Sequence, residues 1–475
     1  MFFLEETNNL HKEARVKVKN PELAMVSMLI GAFVGMLSET SLNIALPQLM
    51  SSLHINAGII QWLVTGYMLV IGIVLPFSSL LSKWFTTRQI IIFGLVDFII
   101  GATISAMATN FGILLLGRMI QGIATGLILP LMFTVAMQIF PPHKLGTAMG
   151  ICALVIMLAP AIGPTLTGII LAKLSWHWIF WTFIPFLVIA LFFAVFSLEN
   201  VGKLSRPKID FLSLIGSIIG FASLVTGISL VSDLGWISVP VIVLLIVSVI
   251  TLTLYVRRQL TLENPVLNLK IFKNPMFRSG ALLVMIDFAI ILSAMYLLPQ
   301  YIQRGLLLPV ALTGIIMLPG GFVNAIVSVF AGRSYDNYGA KLPVRIGFLI
   351  AIIGCLLLSA VKTDSTIIYV IIAHVILMVG CPLAMSPAQT YALNSLAGPE
   401  SGDGSTIMNT MQQIVGAIST ALTTSFLALG ESFYPGKNSS ASFTNGMHFG
   451  IYFTLVLAVI GLLLSFTLKK NSHKY

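Results

Sequence analysis

The sequence predicts an all-α integral membrane protein of about fourteen transmembrane helices, grouped as two six-helix halves plus two extra helices. Three observations carry that prediction. Of the 475 residues, 57% are hydrophobic and only 9% charged, and mean hydropathy is +0.99. A soluble domain uses about 25% charged residues, so lipid must be the main solvent. Apolar runs long enough to cross about 30 Å of hydrocarbon recur along the whole chain. The loops between them alternate between crowded and sparse in Lys and Arg, the pattern by which cations mark the cytoplasmic side.

The runs lie near 22–50, 58–82, 90–108, 112–139, 145–172, 178–198, 211–232, 238–256, 279–299, 310–331, 343–360, 366–388, 404–428 and 448–468. An even number of crossings returns both termini to one side. Loops on that side hold Lys83 and Arg88, Lys144, Lys203, Arg206 and Lys208, then Arg257, Arg258, Lys270, Lys273 and Arg278, then Arg333, Lys341 and Arg345. The opposite loops hold only Lys173, Arg304, Lys362 and Lys437. The asymmetry predicts a multi-pass plasma-membrane protein with both termini cytoplasmic.

The expected division is a cytoplasmic tail 1–21, an N-terminal six-helix half 22–198, two extra helices 211–256, a cytoplasmic loop 257–278, a C-terminal six-helix half 279–468 and a tail 469–475. Residues 1–21 mix acids and bases and lack the short apolar core of a signal peptide, so the first run reads as a retained span. These loops account for the net charge of +10, and no nucleic-acid partner is expected. Cys152, Cys355 and Cys381 fall inside apolar runs, so neither a disulfide nor a metal site is expected. A weak internal repeat supports the two halves. Ser79-Leu-Leu-Ser-Lys83-Trp-Phe-Thr-Thr-Arg88 follows the second run, and Gly332-Arg-Ser-Tyr-Asp336-Asn-Tyr-Gly339-Ala-Lys341 follows the tenth. Both are tight basic turns at the same place of a six-span unit, an arrangement found in transporters.

The polar residues inside the runs are the candidate site. In the first run Gly31, Gly35, Glu39, Asn43 and Pro47 recur every fourth position, making one small or polar stripe on a helix. A carboxylate at mid-span costs roughly 2.5–3.5 kcal/mol on insertion scales, so it should face a bundle interior or a wet cavity. Glu39 is therefore the first candidate proton carrier, and Asp287 in the ninth run the second. Arg118 shares a helical face with Gln121, Gly122, Thr125 and Gly126; it is either a gating or proton-relay group or a structural arginine tied to backbone. Amides in lipid either join helices or line a cavity. On that ground Asn43, Gln61, Trp62, Thr65, Gln121, Asn409, Gln412 and Gln413 are the expected cavity residues. Met36 and Met295, like Met68, Met157 and Phe288, would add a soft apolar wall. Asp97 and His374 read as helix-end or hydrogen-bonded packing groups. The fifth run, with Gly150, Ala153, Ala159, Pro160, Gly163, Pro164 and Gly168, is built to bend and to let helices approach closely.

Several of these segments together resemble one family. Glu39-Thr-Ser-Leu-Asn43-Ile-Ala-Leu-Pro47 resembles the first-helix motif of the fourteen-helix drug:proton antiporters of the major facilitator superfamily, which usually has Asp at the place of Glu39. Gly150 to Gly168 is similar to that family's fifth-helix antiporter motif, keeping Gly150, Gly163, Pro164 and Gly168 but with Ala159 and Thr167 where glycine is usual. Leu-Gly-Arg118-Met-Ile-Gln121-Gly122 resembles its fourth-helix motif, whose arginine is implicated in proton coupling. Ser175-Trp-His-Trp-Ile-Phe-Trp181 resembles the start of its sixth helix, and Gln413 to Gly416 its thirteenth. The likeness covers nearly the whole chain and is strongest to the Gram-positive lincomycin-exporter-like branch. The turn after the second helix departs from the pattern. Ser79, Lys83 and Trp84 stand where Gly, Asp and Arg are usual, leaving Arg88, whereas the second copy keeps Gly332, Asp336, Gly339 and Lys341.

The resemblance implies a major facilitator fold and a non-enzymatic exporter of amphipathic drugs or antibiotics, coupled to protons and working as a monomer. It also implies a cytoplasmic gate at Arg88, Gly332, Asp336 and Gly339. No phosphate-binding glycine loop or other cofactor motif is present, so the proton is the expected coupling ion. Export of a lipid or endogenous metabolite would use the same fold; a proton symporter or a membrane enzyme is the remaining alternative.

Overall fold

Lipid offers the backbone no partner, so each span must close its own hydrogen bonds. A computed structural model of the protein describes residues 20–55, 57–60, 62–201, 204, 210–262, 265–396, 400–433 and 439–469. Among them are 14 helices long and apolar enough to cross a membrane, and no strand. They are α1 (Pro21–Leu53), α2 (Trp62–Trp84), α3 (Thr87–Ala106), α4 (Phe111–Ile139), α5 (Leu145–Lys173), α6 (His177–Phe196), α7 (Phe211–Leu234), α8 (Val239–Thr261), α9 (Pro275–Gln300), α10 (Val310–Tyr338), α11 (Lys341–Ser359), α12 (Ile367–Asn394), α13 (Glu400–Ser432) and α14 (Ser439–Ser465). The apolar runs locate every helix, but α13 and α14 begin earlier than hydropathy indicates. Their first turns are rich in Ser, Asn and Gly, which a hydropathy count discards and a helix tolerates.

Local chemistry sets the ends. Pro21 opens α1, where its missing N–H is one the helix does not use. Thr86 and Gln89 cap α3 reciprocally: the Thr86 hydroxyl accepts from the Gln89 N–H at 3.3 Å and the Gln89 side-chain Oε1 accepts from the Thr86 N–H at 3.0 Å. Asn110 accepts from the Ile113 N–H at 3.0 Å to open α4. α10 stops at Gly339, whose φ of 71° suits glycine alone. After Pro299, α9 continues as one π turn, Tyr301–Gly305.

The chain forms two compact units. The first is drawn from Met1–Pro141, Leu166–Phe277 and Leu393–Gln413, the second from Pro142–Thr165, Arg278–Ala392 and Ile414–Tyr475. Four helices cross the division: the start of α5 belongs to the second unit and the start of α13 to the first, while α9 and α12 give only a few end residues to the first unit. Within the first unit α1 packs on α4 and α6, α3 on α4 and α6, and α2 on α4 and α7, while α7 pairs with α8. The two extra helices therefore join the first unit through α2. Phe211, Leu212, Val243, Val249 and Leu254 on their outer faces are exposed, as lipid-facing residues should be. In the second unit α11 packs on α14 and α10.

Candidate functional site

In the first unit the polar stripes of α1 and α4 meet. Arg118 is 0% exposed. Its Nε donates to the Leu63 carbonyl at 3.2 Å, its Nη1 donates to Ser38 Oγ and to Gln121 Oε1, the latter at 3.0 Å, and its guanidinium lies 4.0 Å from the centre of the Tyr67 ring. Gln121, also fully buried, accepts from Ser38 Oγ at 3.0 Å and donates to Ser105 Oγ at 3.1 Å. The Tyr67 hydroxyl donates to the Gly35 carbonyl at 2.9 Å and shares a 2.7 Å hydrogen bond with Thr125. Gly35 has no room for a side chain, because a Cβ would lie 2.8 Å from the Thr125 hydroxyl. A rigid guanidinium fork suits this task of serving several fixed acceptors at once.

One arm of the arginine and one oxygen of the acid remain unmatched. Arg118 Nη2 and Glu39 Oε2 are both buried without a hydrogen-bond partner. The two side chains feel each other electrostatically, yet among the described residues no ion pair joins them. Glu39 is half-buried as a residue. A buried charge without a partner is costly, so such a carboxyl is suited to taking up and releasing a proton as its surroundings change. Arg118 is thus tied to backbone and also lies in electrostatic reach of an acid.

The second unit holds the other acid. Asp287 is 0% exposed, and neither carboxylate oxygen has a hydrogen-bond partner; the Cys381 thiol of α12 lies in electrostatic reach of it. Nearby on α9, Ser293 shares a 2.7 Å hydrogen bond with Ser419, which also donates to the Ala289 carbonyl at 2.9 Å, so the polar residues of α13 here serve helix packing. His374 is buried over Gly320, where a Cβ would meet its ring at 2.2 Å; it is a packing group. Asp97 is half-buried on α3 with one unpartnered oxygen.

The remaining expected cavity residues are scattered. Thr65 is buried on α2, and Asn409 and Gln412 are buried on α13, with the Asn409 amide donating to the Ser405 carbonyl at 2.9 Å. Gln413, Met36 and Met295 are half-buried, and Trp62 is 36% exposed. Gln61 lies outside the described residues, as do Lys203, Arg206, Lys208 and Lys437 and the side chains of Asn43 and Pro164. Gly163 is buried and Gly168 exposed.

The two repeated turns are built differently. In the second unit Asp336, at the end of α10, accepts from the Gly146 N–H at 2.7 Å, the Thr147 N–H at 2.9 Å and the Thr147 hydroxyl at 2.8 Å, seating a carboxylate on the positive start of α5. Gly332 and Gly146 make that approach possible, for a Cβ on Gly332 would lie 2.0 Å from the Gly146 carbonyl oxygen. A Cβ on Gly150 would likewise meet the Ser328 carbonyl oxygen at 2.6 Å. In the first unit the acid sits on the other partner: Lys83 of α2 pairs at 3.2 Å with Asp403 in the first turn of α13, and Ser79 donates to the same carboxylate. Arg88 takes no part; its guanidinium donates to the Val195 carbonyl near the end of α6. Asp336→Asn is expected to lower unfolding stability by roughly 1–3 kcal/mol, since an amide offers one oxygen and no charge to three donors. Thermal unfolding of the detergent-purified variant would check this, and an unchanged Tm would exclude it.

Ser38, Tyr67, Ser105, Cys381, Asp403, Gly146 and Thr147 are partners that sequence reading misses. Of these only Gly146 carries a signal, as it and Gly150 are small residues four apart on a helix start.

Comparison with known proteins agrees with this architecture. The sequence matches the Major Facilitator Superfamily over residues 28–420. It is 47% identical over 456 residues to the lincomycin resistance protein LmrB of Bacillus subtilis (strain 168), covering 94% of this chain and 95% of that one. It is 43% identical over 453 residues to the lincomycin resistance protein LmrB of Listeria monocytogenes serovar 1/2a, covering 94% and 96%. Among solved structures, the human organic anion transporter MFSD10 superposes with a TM-score of 0.67 at 14% identity, covering 92% of this chain and 99% of that one, which shows a shared fold. The chain, a multi-pass membrane protein by its fourteen apolar helices, belongs to the major facilitator superfamily.

Proposed function

We propose that this transporter exports amphipathic drugs or antibiotics, lincosamides among them, across the bacterial plasma membrane in exchange for protons. The observation that carries the coupling is Glu39, a mid-span acid with a buried, unpartnered oxygen in electrostatic reach of the buried Arg118. Identity of 47% along nearly all of a protein named for lincomycin resistance supports the choice of cargo. A proton and a cationic substrate compete for the same carboxylate, and that competition is antiport. Arg118 biases the competition by position, and Asp287 is a second carrier in the other unit. Asn43, Gln61, Thr65, Gln121, Asn409, Gln412 and Gln413, with Trp62, Met36 and Met295, supply polar and apolar contacts to cargo. Both termini face the cytoplasm, one copy suffices, and the proton is the coupling ion.

The energetics suffice. At about 100 mV and one pH unit, one inward proton releases roughly 2.3 plus 1.4, near 3.7 kcal/mol. That sustains roughly a 500-fold gradient of a neutral substrate per proton. The test is lincosamide or ethidium accumulation in everted vesicles energised by a pH gradient and then treated with a protonophore. Accumulation that collapses with the gradient supports antiport. If a well-inserted protein moves neither compound, the drug-export reading fails and a lipid or endogenous metabolite becomes the cargo to test.

Arg118→Lys keeps the charge but cannot reach the same acceptors with a fixed fork. It is expected to slow efflux about tenfold or more, the cost of one charge-assisted hydrogen bond, with a smaller change in the half-saturating substrate concentration. Initial rates across substrate concentrations would check it, and wild-type rates would remove Arg118 from the coupling step.

A further inference from the structure

Helices α7 and α8 have no place in a pair of six-helix halves, and the proton and cargo residues above use neither. Their base is nonetheless wired to the Lys83–Asp403 pair. Arg258 of α8 clamps Asp210 at the start of α7 with two hydrogen bonds of 2.6 and 2.9 Å, and this guanidinium holds the Asp210 carboxyl down at about 2. Beside it, the fully buried Gln259 donates to Ser213 Oγ at 2.6 Å. The same amide's oxygen accepts from the Val266 N–H at 2.7 Å and the Leu267 N–H at 3.3 Å, so it holds the segment leaving α8. The next residue, Asn268, brings its backbone N–H within electrostatic reach of Asp403. Tyr255 of α8, with a buried and unpartnered hydroxyl, is also in electrostatic range of Asp403.

Asp403 is thus a junction of three arms: Lys83 and Ser79 from α2, the start of α13 on which it stands, and the segment fastened by the α7–α8 hairpin. A carboxylate that is almost fully buried needs all its donors, and losing one leaves its charge under-compensated. We propose that the two extra helices belong to the gate at this end of the first unit, with Gln259 positioning the 266–268 segment so that it holds Asp403. The start of α13 can then leave α2 only when the hairpin's segment also lets go. This rests on the proposed export, which requires the transporter to open to each side of the membrane in turn, but not on the identity of cargo or coupling ion.

The test follows opening directly. Thr406 of α13 is 2% exposed and its hydroxyl lies 3.1 Å from Ser78 Oγ of α2, so a cysteine there reports separation of the two helices. Thr406→Cys protein in liposomes is treated with N-ethylmaleimide, and alkylation at residue 406 is followed by mass spectrometry. Gln259→Leu, which leaves the Lys83–Asp403 pair in place, is expected to raise the labelling rate about three- to tenfold, the factor carried by one or two net hydrogen bonds. Asp403→Asn should raise it at least as much, and adding Gln259→Leu to Asp403→Asn should add nothing, because both act through one carboxylate. Ser213→Ala, a smaller change to the same tether, should raise it in the same direction if Gln259→Leu does not fold. Parent-like labelling in the tether variants, or effects that multiply, overturns the proposal. Failure of efflux in the parent protein would overturn the cargo instead, leaving the labelling result untouched.

Discussion

Glu39→Gln is expected to abolish proton-driven accumulation while leaving the protein folded. The amide matches the acid in shape but cannot gain or lose a proton in the physiological range. With one proton worth near 3.7 kcal/mol, the attainable gradient of a neutral substrate should fall from roughly 500-fold to about onefold. Exchange of substrate down its own gradient should persist, because that step needs no proton. Folding should be unaffected, since the carboxylate oxygen Oε2 makes no hydrogen bond that the amide would forfeit. Uptake by everted vesicles and a Tm measured on the same preparation separate these effects. Gradient-driven accumulation by a well-folded Glu39→Gln protein would move the coupling to Asp287.

Among the glycines whose surroundings are described, Gly332→Ala is expected to be the most damaging single methyl group. Its Cβ would stand 2.0 Å from the Gly146 carbonyl oxygen and 3.1 Å from Gly150 Cα. Both obstacles are backbone, so relief requires α10 and the start of α5 to move apart. That motion would also lengthen the three hydrogen bonds from Gly146 and Thr147 to Asp336. Overpacking costs about 1–3 kcal/mol, and loss of these bonds adds to it. Gly168→Ala is the contrast on α5 itself, because nothing lies within 4 Å of its added Cβ. It should leave stability unchanged or raise it by about 0.5–1 kcal/mol through helix propensity. Thermal unfolding of the two variants side by side checks the pair, and equal Tm values would mean that the Gly146–Gly332 approach carries no stability.

These contrasts mark the boundary between what can and cannot be read from residues in order. Glycine at 150, 163 and 168 looks alike on a line of sequence, yet a Cβ on Gly150 would meet backbone at 2.6 Å and one on Gly168 would meet nothing. The acid at 403 carries no signal of its own, because Glu400-Ser-Gly-Asp403 reads as an ordinary loop leading into a helix. Only its position against Lys83, Ser79 and Asn268 makes it a junction. Likewise Lys83 reads as a lost acid at a turn that usually carries one, whereas the acid stands on the opposing helix.

The sequence by itself determined the membrane class, the fourteen spans and the residues that must be explained in lipid: Glu39, Arg118 and Asp287. Those properties are local or additive, since bilayer thickness sets span length and each charged group carries its own cost of burial wherever it falls. Only the tertiary structure decided partners: Ser38, Gln121 and Tyr67 for Arg118, Gly146 for Gly332, and Lys83 for Asp403. Partnership depends on which helix faces cross and at what height, and that is settled by packing among residues far apart in the chain.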